Sequence, residues 1–341
     1  MQKVRLSHSS MNRYMQCPTS WKNHYVEGYR PTEISSALVF GSAIGKVFEY
    51  ILTPKIEGKE HLSDTDFFDY EWTHQYVNDE LTNIKEYKEI AYSKYDTDLD
   101  LLTKEEIDSA NGDAKVLAWY SLRAKGHLMI ECFKREMLPK IKKVYSTEEL
   151  IELTNGDGDS SIGYADAVLD IEGYNSPIVL DFKTAAREYE QDSVAKSIQL
   201  SQYIHVLGDK YNTRLAGYCV FLKSINKNKT KICAKCGYNG TGASHKTCNN
   251  EIGGKRCNGD WNIKLNASCS MQLIIDEIPH ETEEFVVGNI ENIAASIKTG
   301  IFTRNVNSCY DNGFGRPCEF QKLCWTGKKD GLVKVEKKEK A

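Results

Sequence analysis

Nowhere in the 341 residues do about 18 apolar side chains run together, the length that a membrane-crossing helix demands. The opening stretch, MQKVRLSHSSMNRY, has no apolar core of the kind that marks an export signal. Both absences lead us to expect a soluble, cytoplasmic chain with no membrane partner. Its eleven cysteines are then expected to stay reduced and to bind metal rather than pair as disulfides. Net charge is also small, at −4, but that balance hides two opposed segments. Residues 57–108 hold 16 acidic against 5 basic residues, a net of −11, and residues 223–264 hold 9 basic against 2 acidic, a net of +7. A concentrated basic segment on an acidic chain suits a polyanion docking there. With 40% hydrophobic content the chain can bury a sizeable core, as one large domain with insertions or as two domains.

What is present centres on residues 162–185, IGYADAVLDIEGYNSPIVLDFKTA. Two short apolar runs flank the turn signal Gly173-Tyr174-Asn175-Ser176-Pro177, which predicts a hairpin or two adjacent strands. The first run carries Asp166 between Ala165 and Ala167. The second, Ile178-Val179-Leu180, reads as a buried strand and ends in Asp181-Phe182-Lys183. The two-residue period of a strand puts Asp181 and Lys183 on one face. In isolation that is a surface ion pair at a strand end. With a second carboxylate, Asp166, one strand away, it suits a hard divalent cation and an attacking water.

Residues 6–27 read as a helix capped by Ser7 or Ser9 and interrupted at Cys17-Pro18, with Tyr14, Trp21 and Tyr25 as core aromatics. A second, apolar helix spans 36–52, with Gly41, Gly45 and Glu49 on one stripe. Two glycines cost a helix about 1 kcal/mol each relative to alanine, so a close backbone approach is expected to offset them. The acidic stretch that follows is expected to be a helical insertion or lid. Residues 113–139 read as a long amphipathic helix with Cys132 in its core face. A strand over 144–153 leads into the central stretch. After Lys183, a helix over 192–208 puts Gln199 and Tyr203 on one face. Strands over 214–222 and 271–278 and a helix over 281–298 follow, and the chain from Lys328 on reads as a disordered charged tail. These shifts divide the chain into N-terminal core helices (1–56), a mostly helical acidic insertion (57–140), a central α/β core (141–222), a cysteine-bearing insertion (223–264), a completion of the core with a second cysteine group (265–327) and the tail (328–341).

The insertion holds Cys233-x2-Cys236, then Cys248 and Cys257. That spacing supports a tetrahedral zinc ribbon, with His245 as a substitute ligand, and the glycine-rich surroundings need such a staple to fold. Its place in the +7 segment suggests that it presents lysines to phosphates. The second group, Cys309-x8-Cys318-x5-Cys324, is one thiolate short of four, and Cys17 can complete it. Four thiolates drawn from the two ends of the chain would hold a 4Fe–4S cluster or a second zinc.

Taken together, Leu6-Ser7 through Cys17-Pro18, Phe40-Gly41-Ser42, Gly163-Tyr164-Ala165-Asp166, Asp181-Phe182-Lys183-Thr184, Gln199-x3-Tyr203 and the terminal cysteines resemble the RecB-like branch of the PD-(D/E)XK nucleases, which includes phage-type exonucleases and iron–sulfur nucleases. The resemblance covers the first 50 residues, 145–222 and 300–325, and leaves 57–108 and the zinc ribbon unaccounted for. It implies a restriction-endonuclease-like α/β fold, a mixed β-sheet flanked by helices, and hydrolysis of DNA with Mg2+ or Mn2+. Asp166, Asp181 and the carbonyl of Phe182 would ligate the metal, and Lys183 would orient and help deprotonate the water. Gln199 and Tyr203 would hold the site, and Glu49 would reach the metal through water. The family's histidine ligand falls on Gly45 here, which leaves a single-metal site, a weakened second site, a substitute such as His8 or His24, or lost activity. The resemblance favours 4Fe–4S over zinc at Cys17, Cys309, Cys318 and Cys324.

The leading expectation is therefore a metal-dependent DNA exonuclease acting on single strands or duplex ends in recombination, repair or phage replication, with a helicase or recombination partner. A nucleic-acid clamp with a degenerate site, a structure-specific endonuclease and an iron–sulfur redox sensor are the competing readings.

Overall fold

The computed structural model describes residues 3–55, 61–77, 89–242, 244–311 and 317–335. Parts of three stretches read above, the acidic segment, the loop between Cys309 and Cys318 and the charged tail, lie outside those residues.

A short strand, β1 (Arg5–Ser7), leads into the first helical stretch, which was expected to be capped by Ser7 or Ser9 and interrupted at Cys17-Pro18. Ser7 stays extended and its hydroxyl accepts from Ser10 N at 3.2 Å, capping α1 (His8–Gln16). Cys17 closes α1 in an extended conformation, and Pro18, which lacks an N–H to leave unpaired, starts α2 (Pro18–Trp21). The short strands β2 (Tyr29–Pro31) and β3 (Glu33–Ser35) lead to α3 (Ser36–Leu52). The acidic stretch supplies α4 (Asp64–Val77), β4 (Glu89–Ala91) and α5 (Lys104–Ala110), and α6 (Ala114–Cys132) follows.

Next come β5 (Ile141–Thr154), β6 (Ser160–Ile171), β7 (Ile178–Ala185), α7 (Ile198–Tyr211) and β8 (Leu215–Leu222). Together with β1 and a later strand they form a six-stranded mixed sheet. An arm of β9 (Asn226–Cys233), the two-residue strands β10 (Glu251–Ile252) and β11 (Lys255–Arg256), and β12 (Trp261–Ser268) interrupts this sheet before β13 (Met271–Glu277) and α8 (His280–Thr299). The sheet order is β1-β6-β7-β8-β13, with β5 on the other edge of β6. β7 and β8 are parallel, joined through α7, and β13 returns antiparallel to β8. This is the mixed sheet flanked by helices that the sequence predicts.

Each face of the sheet has its own core. Phe40 and Phe48 of α3, Phe68 and Trp72 of α4, and Met129 of α6 pack with Leu180 and Phe221 on one face. The acidic stretch thus contributes buried aromatic residues to the main core. Burying each ring stabilises the fold by about 1.5–3 kcal/mol. The other face packs Val168, Val179 and Val220 against Leu200, Tyr203 and Ile204 of α7. A smaller cluster joins Leu6, Met11 and Trp21 to Val286 and Ile290 of α8.

The α4–α6 contact sets a sharp test of this packing. A Cβ built on Gly126 would lie 2.1 Å from Cζ of Phe68, a ring with no exposed surface. Gly126→Ala is therefore expected to destabilise the protein by about 3 kcal/mol, at the upper end for overpacked cores, despite alanine's better helix propensity. Thermal or urea unfolding reads this directly, and a variant as stable as wild type would contradict the packing.

The C-terminal stretch departs from expectation. Leu332–Lys334 pair antiparallel with β2, so this part of the chain is an ordered strand rather than a disordered tail. The adjacent apolar pair Leu332-Val333 is half-buried in this pairing despite the flanking lysines. The opposed charges also find each other: Lys227 of β9 sits 2.5 Å from Asp98 and 2.9 Å from Asp100, docking the arm onto the acidic stretch.

Candidate active site

One edge of β6 pairs with β5 along almost its full length. The other edge is shared. β1 takes residues 160–162 in parallel, and β7 takes only 167–169 antiparallel. Residues 163–166 face the opening between these two partners, and Asp166 lies where β7 has splayed away. The splayed edge is satisfied by a side chain instead of a ladder bond: Phe182 N donates to Asp166 Oδ2 at 2.6 Å. That contact brings the end of β7 and Asp166 together, as the two apolar runs and their turn suggested.

Asp181 and Lys183 do share a face. Lys183 Nζ lies 2.5 Å from Asp181 Oδ2. From α7, Gln199 Nε2 donates to Asp181 Oδ1 at 2.7 Å and to Tyr203 Oη at 2.6 Å. Its own carbonyl accepts from Lys183 at 3.3 Å. Asp166, Asp181, Lys183, Gln199 and Tyr203 thus meet at one place, and Asp181 is only 2% exposed.

The electrostatics of this group are unbalanced. Burial first, then the neighbouring Asp181 charge, pushes the Asp166 carboxyl well above the usual carboxylate range. Burial also raises Asp181, although Lys183 and Gln199 pull it back. Burial opposes the charge on Lys183, but Asp181 and Asp166 outweigh it and hold the ammonium above its ordinary value. Burial likewise raises the Tyr203 phenol, helped by Asp181.

A further carboxylate, Glu148, belongs to the cluster and escaped the sequence reading. It has φ +48°, a left-handed conformation in mid-strand, which costs about 1–3 kcal/mol at a non-glycine residue. The β5–β6 register pairs Thr147 with Ala167 and Glu149 with Ala165, so Glu148 stands opposite Asp166. Burial, Glu49 and Asp181 all raise its carboxyl, and Glu148 in turn raises Asp166. The helical acid Glu49 enters the site through this neighbour. Nothing in the alternation of KVYSTEELIEL marks Glu148 as special, because its orientation comes from a backbone twist.

Asp166, Asp181 and Glu148, with Glu49 beside Glu148, face a single lysine, and such a set of oxygen donors would suit a hard dication that offsets the cost of burying their charge. The raised pKa of Glu148 carries a pH dependence. A carboxyl raised on folding contributes stability below its unfolded value, about 4.5, and loses it as pH rises through the folded value. Glu148→Gln should therefore be more stable than wild type at neutral pH in magnesium-free buffer. The gap should close below about pH 4.5 and shrink when Mg2+ is added. Urea titrations across pH check this, and a pH-independent difference would contradict it.

The two candidate substitute histidines separate clearly. His8, just after β1, is half-buried, and partial burial together with the charge of Lys183 lowers it to about 4. Its Nε2 meets Asn12 at 2.8 Å and its Nδ1 has no hydrogen-bond partner among the described residues. His24 instead packs against Tyr25 and Phe320 under the charges of Arg13 and Arg30, so it is not part of the carboxylate group. The close backbone approach expected at the glycine stripe is absent at Gly45: a Cβ there would meet nothing within 4 Å. At Gly41 it would make an ordinary 3.6 Å contact with Thr184. Both glycines line a cavity of about 280 Å³ with Phe182 and Lys183.

All eleven cysteines are free thiols. Cys233, Cys236, Cys248 and Cys257 bring their sulfur atoms within 4.8 Å of one another at the tip of the arm. A hydrogen bond from the backbone of Tyr238 draws the Cys236 thiol down to about 6. His245 takes no part through its ring in the contacts described; its carbonyl accepts from Trp261 Nε1. Cys17, Cys309, Cys318 and Cys324 gather more loosely. Cys324 feels the charges of Cys309 and Cys17, Cys318 feels that of Cys324, and Cys318 N donates to Cys309 O at 3.1 Å. Asn305 N and Asn23 Nδ2 donate to the sulfur atoms of Cys17 and Cys324.

Comparison with known proteins gives one extended match. A family model described as the PD-(D/E)XK nuclease superfamily aligns with residues 5–324. Among solved structures, 19 chains match. One of them, described as the crystal structure of SSO0001, is 11% identical, with 83% of this chain and 84% of that chain covered and a TM-score of 0.24. No curated protein matches.

Proposed function

This chain belongs to the PD-(D/E)XK nuclease superfamily, and on that premise we propose that it is a metal-dependent deoxyribonuclease, specifically an exonuclease of recombination, repair or phage DNA metabolism. The observation that carries this reading is the meeting of Asp166, Asp181 and Lys183 at the splayed β6–β7 edge. Asp166, Asp181 and the Phe182 carbonyl would hold Mg2+ or Mn2+, with Glu148 and Glu49 behind them. When bound, the ion polarises a phosphate oxygen and lowers the pKa of water. Lys183, kept protonated by Asp181, is placed to donate to the attacking water or a phosphate oxygen and to screen charge developing at phosphorus. That protonation argues against Lys183 as the base while it is paired. Gln199 and Tyr203 act as positioning residues: the amide fixes Asp181 Oδ1 and the phenol fixes the amide.

For the cysteine groups we propose zinc in the arm and a 4Fe–4S cluster between the termini. A tetrahedral Zn–S4 site with bonds of about 2.3 Å needs sulfur atoms about 3.8 Å apart. The Cys233–Cys257 and Cys236–Cys248 separations are both 3.6 Å. The wider gathering of Cys17, Cys309, Cys318 and Cys324 suits a cluster with a metal core of its own. The exposed Lys235, Lys246, Lys255 and Arg256 of the arm would meet phosphates.

End-labelled linear and covalently circular single-stranded DNA, each with Mg2+ or Mn2+, test the reading. Linear strands should shorten from an end while circles persist. Cutting of circles would overturn the exonuclease part, and intact substrates in every condition would overturn the nuclease reading.

A further inference from the structure

We propose that Tyr189 is a further catalytic residue: its phenol donates a hydrogen bond to a nonbridging oxygen of the phosphate held at Asp181 and Lys183, and Gln272 positions it there. The inference rests on the nuclease reading and adds a phosphate contact to that same site.

The register of the sheet places the parts. Asp181 of β7 stands beside Tyr218 of β8, which stands beside Ile274 of β13, and two residues along the next row is Lys183, Val220 and Gln272. Neighbouring strands lie about 4.8 Å apart, and residues in register project to one face. Tyr218, Val220 and Ile274 all belong to the core beneath α7. Asp181 and Lys183 meet Gln199 of α7 on that side, so Gln272 shares their face.

After β7 the chain folds over this face as an irregular stretch, residues 186–190, in which Tyr189 is the one residue that is not exposed. A single side chain takes both of its backbone groups. Tyr189 N donates to Gln272 Oε1 at 2.8 Å, and Gln272 Nε2 donates to Tyr189 O at 3.0 Å. The Tyr189 ring packs edge-on against Tyr218, with centroids 5.4 Å apart. Lys183 Nζ lies 5.9 Å from the centre of that same Tyr218 ring. Tyr189 is thus fastened by backbone and ring against the strand neighbour of Asp181, and the charges of Lys183 and Asp181 both reach its phenol.

The charge of Asp181 is felt by three tyrosines. Two have their hydroxyls engaged, Tyr203 with Gln199 and Tyr218 with Ser197. The Tyr189 hydroxyl has no hydrogen-bond partner among the described residues. Packing at this position asks only for a ring, which phenylalanine would supply equally well. Burial raises the phenol above its ordinary value against the pull of Lys183, with Asp181 adding to the rise, so it stays a donor at neutral pH. A phosphate drawn in by Lys183 brings an acceptor to this donor, and the bond strengthens as charge builds on the phosphate oxygens.

The test is single-turnover cleavage by the full chain, with Mg2+, of end-labelled linear DNA carrying one stereodefined phosphorothioate at the linkage that wild type cuts first. On ordinary DNA, Tyr189→Phe should cut about tenfold more slowly than wild type. Sulfur is a poor acceptor, so on one diastereomer the gap should shrink to about twofold and on the other stay near tenfold. Comparing the two proteins on one substrate cancels the effect of sulfur on the metal. Gln272→Leu should lose as much as Tyr189→Phe, and the double variant should be no slower than the slower single one. Cleavage by Tyr189→Phe at the wild-type rate, or an equal gap on both diastereomers, would overturn the contact and leave the nuclease reading standing. Additive losses in the double variant would overturn the role given to Gln272. Intact DNA with wild type would sink the nuclease reading and the contact with it.

Discussion

Asp181→Ala is expected to lower DNA cleavage by about a thousandfold, the equivalent of losing several kcal/mol of transition-state stabilisation. Binding of the same DNA should change by no more than about threefold, because the arm and the rest of the cleft are untouched. The size follows from the crowding at this one carboxylate. Asp181 contacts Lys183 at 2.5 Å and Gln199 at 2.7 Å and repels Asp166. Its removal would delete the proposed cation ligand and also take from Lys183 the largest of the charges that favour its protonated form. Lys183→Ala should be separable from it: cleavage falls, yet cation binding is retained, since the carboxylates lose only a competitor. Single-turnover cleavage of end-labelled DNA, with circular dichroism to confirm folding, reads both. Cleavage by Asp181→Ala within tenfold of wild type would contradict the assignment.

Cys248→Ser carries the second large effect. Four sulfur atoms within 4.8 Å are the main organising feature of the arm tip, where aside from Trp261 the buried cluster consists of cysteines. A zinc bound by four thiolates contributes on the order of 10 kcal/mol to folding of so small a unit. Losing one ligand should release one zinc per chain and unfold residues between β9 and β12, leaving the central sheet intact. Affinity for DNA should drop about tenfold and its dependence on salt should weaken, as the exposed lysines of the arm lose their fixed places. Metal analysis, hydrogen exchange and binding at two salt concentrations check the three parts. Unchanged zinc content would show that the four thiols do not form the site.

The central stretch was legible because its signals are local. An apolar run, a Gly-Tyr-Asn-Ser-Pro turn and the period of two were enough to place Asp166, Asp181 and Lys183 on neighbouring strands. Gln199 and Tyr203 were likewise readable from helical spacing. What escaped depends on irregular backbone or distant pairing. Glu148 reaches the site through a left-handed residue that alternation cannot foresee. The tail strand Leu332–Lys334 needs β2, about 300 residues away, as its partner. Gly45 was read as a close-packing device, yet it opens a cavity beside Lys183. The two histidines looked equivalent in sequence, and the parallel pairing of β1 with β6 brings His8, and not His24, within reach of the Lys183 charge.

The central claim is that the carboxylates at the splayed edge of β6 and β7 form a site for a divalent cation. Titration with Mn2+, followed through the electron paramagnetic resonance signal of the free ion, tests it most directly. Wild type should remove at least one more Mn2+ per chain from solution than Asp166→Ala/Asp181→Ala, and Gly45→His, which has open space for its ring, should bind Mn2+ at least as tightly as wild type. Identical titrations for wild type and the double variant would contradict the account.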